Sequence, residues 1–154
     1  MATEQNKAVV NRIWQEIFND GNLDSIDQLY DPSYLYHGPG GKELKGLEDL
    51  RQYTRQLRTL MPDVHFSLDD LIAEGDEVAV RWTMTATYEP QNIQVTNTGM
   101  IMSSIVDEKC VEDWEIFDRL WMAEQGTTGW IKKRILGTIT KELKKALPFL
   151  AHSA

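Results

Sequence analysis

Apolar residues in the first twenty positions recur at helical spacing. Val10, Ile13, Trp14, Ile17 and Phe18 fall on one face of TEQNKAVVNRIWQEIFNDGN, with Thr3 placed to cap the start and Gly21 to stop it. LDSIDQLY predicts a short second helix, ended by Asp31-Pro32. LEDLRQYTRQLRTLM predicts a third, with Leu50, Tyr53, Leu57, Leu60 and Met61 inward and Pro62 as the stop. Between them, SYLYHGPGG reads as a brief strand running into a glycine-rich turn, and its glycines lack the spacing of a nucleotide-binding loop.

From residue 64 the period changes to two. VHFSLDDLIAEG and EVAVRWTMTATYE flank Gly75-Asp76 as a hairpin. In the second strand Val78, Val80, Trp82, Met84, Ala86 and Tyr88 form an apolar face, and Ala79, Arg81, Thr83, Thr85 and Thr87 a more polar one. TGMIMSSIV and CVEDWEIFD complete the meander through the turn Asp107-Glu108-Lys109. Helices first and antiparallel strands afterwards predict an α+β fold with the helices covering one sheet face. Simple alternation in the last strand puts Cys110, Glu112, Trp114, Ile116 and Asp118 on one face and Val111, Asp113, Glu115 and Phe117 on the other. Neither face is cleanly apolar. A carboxylate beside Trp114 and Ile116 is costly to bury, so either the strand end reaches water at Asp118 or an apolar pocket holds the acid.

Composition narrows the classes. With 154 residues, 42% hydrophobic and 26% charged, the chain fits one soluble domain. One cysteine, Cys110, excludes an internal disulfide, and no HExxH, paired-cysteine or carboxylate cluster points to a metal. The start lacks a signal-peptide pattern and no apolar run approaches a membrane span, so the cytoplasm is the expected compartment. The formal charge of −8 argues against nucleic acid as a partner. Residues 127–154 carry six basic side chains against Glu142 alone, a local +5 that leaves −13 on the first 126. In that tail Ile131, Ile135, Ile139, Leu143 and Leu147 form an apolar stripe. It is expected to be a basic amphipathic helix docked on the acidic body of its own chain or a dimer mate, rather than on a membrane.

The order of elements, together with FNDGNLDSIDQLY, YHGPGG, LMPDVHFSLDDLIAEGDEVAVRW and VEDWEIFDRL…EQG, resembles the SnoaL-like polyketide cyclases of the nuclear transport factor 2-like superfamily. The likeness runs over roughly residues 6–126. It implies a cone-shaped α+β barrel, in which a curved, mostly antiparallel sheet wraps over the N-terminal helices around an apolar pocket. The expected organisation is a cone domain at 1–126 and a helical extension at 127–154. The resemblance also implies a homodimer through the outer sheet face, which suits the threonine-rich face of residues 79–87. The implied activity is cofactor-independent general acid/base catalysis, an aldol cyclisation or related proton transfer, on a hydrophobic cyclic metabolite. An isomerase, an epoxide-opening hydrolase and a non-catalytic ligand-binding protein of the same fold stay open. The chain departs from the family pattern in having RWTMTATYEP where many relatives carry Gly-Thr-His.

The Asp that ends WEIFD takes the family's usual acidic position, so Asp118 is the candidate general acid/base, with burial expected to raise its pKa. His37, before the glycine turn, is the second catalytic candidate, as a hydrogen-bond donor or proton relay. Trp14, Phe18, Tyr53, Trp82, Met84, Tyr88, Met100, Met102 and Trp114 are the expected substrate-binding wall. Such residues fill ordinary cores as readily. In a cone too wide to close they line a pocket for a flat ligand.

Overall fold

The computed structural model describes residues 2–119 and Gln125. The tail of residues 127–154, expected to be a docked helix, lies outside the described residues. Helix α1 (Ala2–Arg12) runs directly into a π-helical stretch, Ile13–Asn19. Asp20 N donates to Gln15 O at 2.8 Å, the five-residue step of π winding. This stretch buries Ile13, Trp14 and Ile17 and packs Phe18 against the same core. At its end the carbonyls of Phe18 and Asn19 both accept from Arg58 Nη1 at 3.1 Å, which satisfies acceptors that a terminating helix leaves open. The guanidinium fits there because residue 21 is glycine. Its φ is +73°, and a Cβ would lie 2.6 Å from Arg58 Nε.

Helix α2 (Ile26–Leu29) is a single turn with both end residues buried. Helix α3 (Gly46–Leu60) buries Leu50 and Thr54, and Tyr53 and Leu57 pack on the same core. Leu60 departs from the inward pattern and is exposed, because the helix closes there and Met61 turns inward instead. Among the described residues, no helix is long and apolar enough to cross a membrane.

Among the described residues, six strands form one curved, open sheet in the order β2-β1-β6-β5-β4-β3. They are β1 (Tyr30–Gly38), β2 (Lys42–Lys45), β3 (His65–Glu74), β4 (Glu77–Tyr88), β5 (Ile93–Val106) and β6 (Lys109–Phe117). All neighbours are antiparallel except β1 and β6, so the sheet is mixed. The hairpin about Gly75-Asp76 forms as the alternation predicts, with Glu74 opposite Glu77. The β5–β6 turn places Asp107 and Glu108 at φ +49° and +62°, the left-handed pair a two-residue hairpin turn needs.

One local feature reorganises β6. Ile105 faces Cys110, but Ser104 faces Glu112, so Val111 is an extra residue on β6. A bulge of this kind reverses the in–out phase downstream of it. Cys110 and Asp113 therefore both point inward, and Glu115 and Phe117 follow on the inner face. Trp114 and Ile116 point out and are 56% and 68% exposed.

Candidate active site

Between the helices and the inner face of the sheet lies a partly open cavity of about 110 Å³, measured as the space open to the centre of a water molecule. Its wall is mostly apolar. Trp14 and Phe18 come from the π-helical stretch, Tyr53 and Leu57 from α3, and Phe66, Trp82, Met84 and Ile101 from the sheet. Five of the nine residues expected at the wall border it: Trp14, Phe18, Tyr53, Trp82 and Met84.

The other four do not. Trp114 turns outward because of the bulge at Val111, and Met102 and Met100, opposite Trp114 and Ile116, turn outward with them. Ile101 and Ser103 take the inner face of β5. Tyr88 packs against the core, but at the end of β4, where the chain leaves for the Glu89–Gln91 turn.

The two catalytic candidates are also placed away from the cavity. Asp118 follows the last residue of β6, is exposed, and does not border the cavity. Its backbone carbonyl accepts from Asn97 Nδ2 at 3.4 Å. The strand phase that would have carried it inward ends at the bulge. His37 lies opposite Trp114 in register and shares its outward phase. Its ring stacks on the Trp114 indole, with centroids 3.9 Å apart and planes at 18°. Its Nε2 is 2.9 Å from Glu112 Oε1.

The cavity's acids are Asp113 and Glu115. Asp113 accepts from Ser103 Oγ at 2.5 Å and from Tyr34 OH at 2.7 Å, all within the buried interior. Burial pushes its pKa up, and the hydrogen bonds from Ser103, Tyr34 and the Cys110 thiol offset part of the rise. Glu115 accepts from Tyr36 OH at 2.5 Å. Burial raises its pKa from 4.5 to about 7; the Tyr36 hydrogen bond opposes the rise, and the nearby charge of Asp113 adds to it. Glu115 keeps some accessible surface, as a side chain bordering a cavity does, while protein encloses it. Tyr53 lies beside Tyr36 with ring centroids 6.1 Å apart, and burial lifts both phenols above their usual range.

Asp113 and Glu115 were legible only as the unfavoured face of the last strand. Tyr34 and Tyr36 were legible as the alternation in SYLYHG. Among the described residues no group of three or more His, Cys, Asp or Glu is arranged to hold a metal ion. The arrangement can exchange a proton near neutral pH in a water-poor space, with phenol donors beside the acid.

An open curved sheet wrapped over N-terminal helices, with a cavity between the layers, is the nuclear transport factor 2-like fold. The chain belongs to the SnoaL-like polyketide cyclase family, whose model matches residues 8–126. Among solved structures it is similar to IdmH, a proposed polyketide cyclase from Streptomyces antibioticus. The identity is 24% and the TM-score 0.72, over 79% of this chain and 97% of that one. AclR from Streptomyces galilaeus, a proposed hydroxylase, matches at 23% identity and a TM-score of 0.67, over 75% of this chain and 90% of that one. A Catenulispora acidiphila protein with a ketosteroid isomerase-like fold, solved with trimethylamine, matches at 13% and 0.70, over 77% and 91%. No curated protein matches the chain. At these identities the structures establish the fold, and a shared fold does not fix a reaction.

Proposed function

We propose that the cavity is the active site of an enzyme that moves a proton on a hydrophobic ring ketone, as an aldol-type cyclase does. The observation that carries this is Glu115, a carboxyl on an apolar cavity wall with its pKa pushed up to about 7. A carboxyl at that value is present in both forms at neutral pH, so one group serves as base and then as acid. The carboxylate removes a proton from the carbon next to a carbonyl. The resulting enolate attacks a second carbonyl carbon, and the new alkoxide takes the proton back from the Glu115 carboxyl. Tyr36 orients the acid through its short hydrogen bond, and Tyr53 is the next phenol in line. Asp113, held by Ser103 and Tyr34, borders the same cavity and shapes the field around Glu115.

The cavity size sets the scale of the ligand. A volume of about 110 Å³ is somewhat below the ~150 Å³ that accommodates benzene in an engineered apolar cavity. One ring is held at a time, and the remainder of a polycyclic molecule lies toward the opening.

The test uses 2-indanone, a small aromatic ketone with exchangeable protons beside its carbonyl. Solvent deuterium exchange, followed by proton NMR at neutral pH, should be accelerated by the protein. Glu115→Gln should lower the acceleration by roughly 10²- to 10⁴-fold, while Asp118→Asn leaves it within about twofold. The opposite pattern would return the role to Asp118, the position the family resemblance implies.

A further inference from the structure

Trp82 carries a buried donor that the fold leaves unanswered. The indole is 3% exposed and borders the cavity. Its Nε1 is buried with no hydrogen-bond partner among the described residues. Glu115 is near enough for the N–H to favour its ionised form, yet no hydrogen bond of acceptable distance and angle joins the two. Leaving a buried donor unpaired costs about 1–3 kcal/mol, and buried indoles ordinarily find an acceptor.

The indole is also fixed in place. Trp14, Phe66 and Phe117 surround it with ring centroids 6.1, 5.6 and 5.9 Å away. Gly99, its register partner on β5, closes the remaining side. A Cβ at Gly99 would stand 2.3 Å from Trp82 Cζ2, 2.7 Å from Cε2 and 2.8 Å from Ile116 O. Gly99 is not in the left-handed region, so space and not backbone conformation requires glycine. Glycine weakens a strand interior, and at such a position it marks a close approach. What approaches here is the indole ring, which borders the cavity.

We infer that Trp82 is a recognition residue whose indole N–H donates to the carbonyl oxygen of a ring ketone held beside Glu115. This rests on the reading of the cavity as a ligand site. An indole nitrogen only donates, so the ligand must bring an acceptor. A ligand carboxylate would meet Asp113 and Glu115, whereas a neutral carbonyl meets no such repulsion. A carbonyl oxygen has two lone pairs: one accepts from Trp82 in the ketone, and the other accepts from the Glu115 carboxyl once that group has taken the neighbouring proton. Both contacts strengthen as negative charge develops on that oxygen, which favours the enolate over the ketone.

The test compares 2-indanone with indane, the same ring system without the oxygen. Affinities for the full-length protein are measured by calorimetry or tryptophan fluorescence. Trp82→Phe keeps an aromatic ring and removes the N–H, and the hydrocarbon corrects for the change in volume. The variant should weaken 2-indanone about tenfold relative to indane, the loss of one hydrogen bond. In ¹⁵N-labelled wild-type protein, the Trp82 indole N–H signal, assigned through its contacts with Phe66, should move downfield with 2-indanone and less with indane. This second measurement decides the matter if the variant does not fold. A relative change under twofold, or equal movement with both probes, overturns the assignment of Trp82. If that occurs while Glu115-dependent exchange of 2-indanone persists, the proposed function stands without Trp82. If neither probe binds, both readings fall.

Discussion

Replacing Glu115 by glutamine should change how stability depends on pH, independently of any substrate. In the folded protein the carboxyl titrates at about 7 against 4.5 for an unperturbed group. Below pH 4.5 both folded and unfolded chains hold the proton, and above 7 neither does. Between those values the folded chain holds a proton that the unfolded chain releases, so stability falls as pH rises. At about 1.36 kcal/mol per pH unit, the whole window is worth roughly 3 to 4 kcal/mol before any solvation of the carboxylate. Water entering the cavity solvates the carboxylate and reduces the figure. The assay is urea denaturation of wild type and Glu115→Gln at several values from pH 4.5 to 8. Wild type should lose stability across the window, and the variant should lose about 1–3 kcal/mol less. Asp113 also has a raised pKa and contributes to the slope of both proteins, so the difference between them reports Glu115 together with its coupling to Asp113. Parallel curves would show that Glu115 is an ordinary carboxylate and would remove the basis for its role.

Gly99→Ala should destabilise the protein by about 1–3 kcal/mol, the usual cost of overpacking, because the new Cβ overlaps the Trp82 ring. Thermal melting gives the magnitude, and an unchanged melting temperature would show that the indole moves freely. The outer sheet face should pair with a second copy of the chain. Its threonine row is already engaged, Arg81 with Asp69 and Asp70 and Thr83 with Asp69, whereas Met100, Met102, Trp114 and Ile116 form an exposed apolar strip beside it. Light scattering at micromolar concentration should report a dimer that Ile116→Arg converts to monomer, and a monomeric wild type would refute the pairing.

By itself the sequence determined the layers of this protein. Helical spacing of Val10, Ile13, Trp14 and Ile17, and the alternation of Val78, Val80, Trp82 and Met84, are each satisfied by one apolar face against one partner. A local periodicity therefore specified those elements and their inward sides. The same patterns identified Trp14, Phe18, Tyr53, Trp82 and Met84, which border the cavity. The inward side of β6 was decided only in the tertiary structure. Its two faces carry similar mixtures of charge and apolar surface, so composition could not choose between them. The choice came from pairing: one extra residue at Val111, visible only opposite Ile105 and Ser104 on β5, reverses every side chain beyond it. The reversal placed Asp113 and Glu115 inside and Trp114 outside, and Asp118 lies exposed just beyond the end of the strand. The acidity of Glu115 is likewise tertiary, because it arises from enclosure by residues of α3, β1 and β4 that are far apart in the chain.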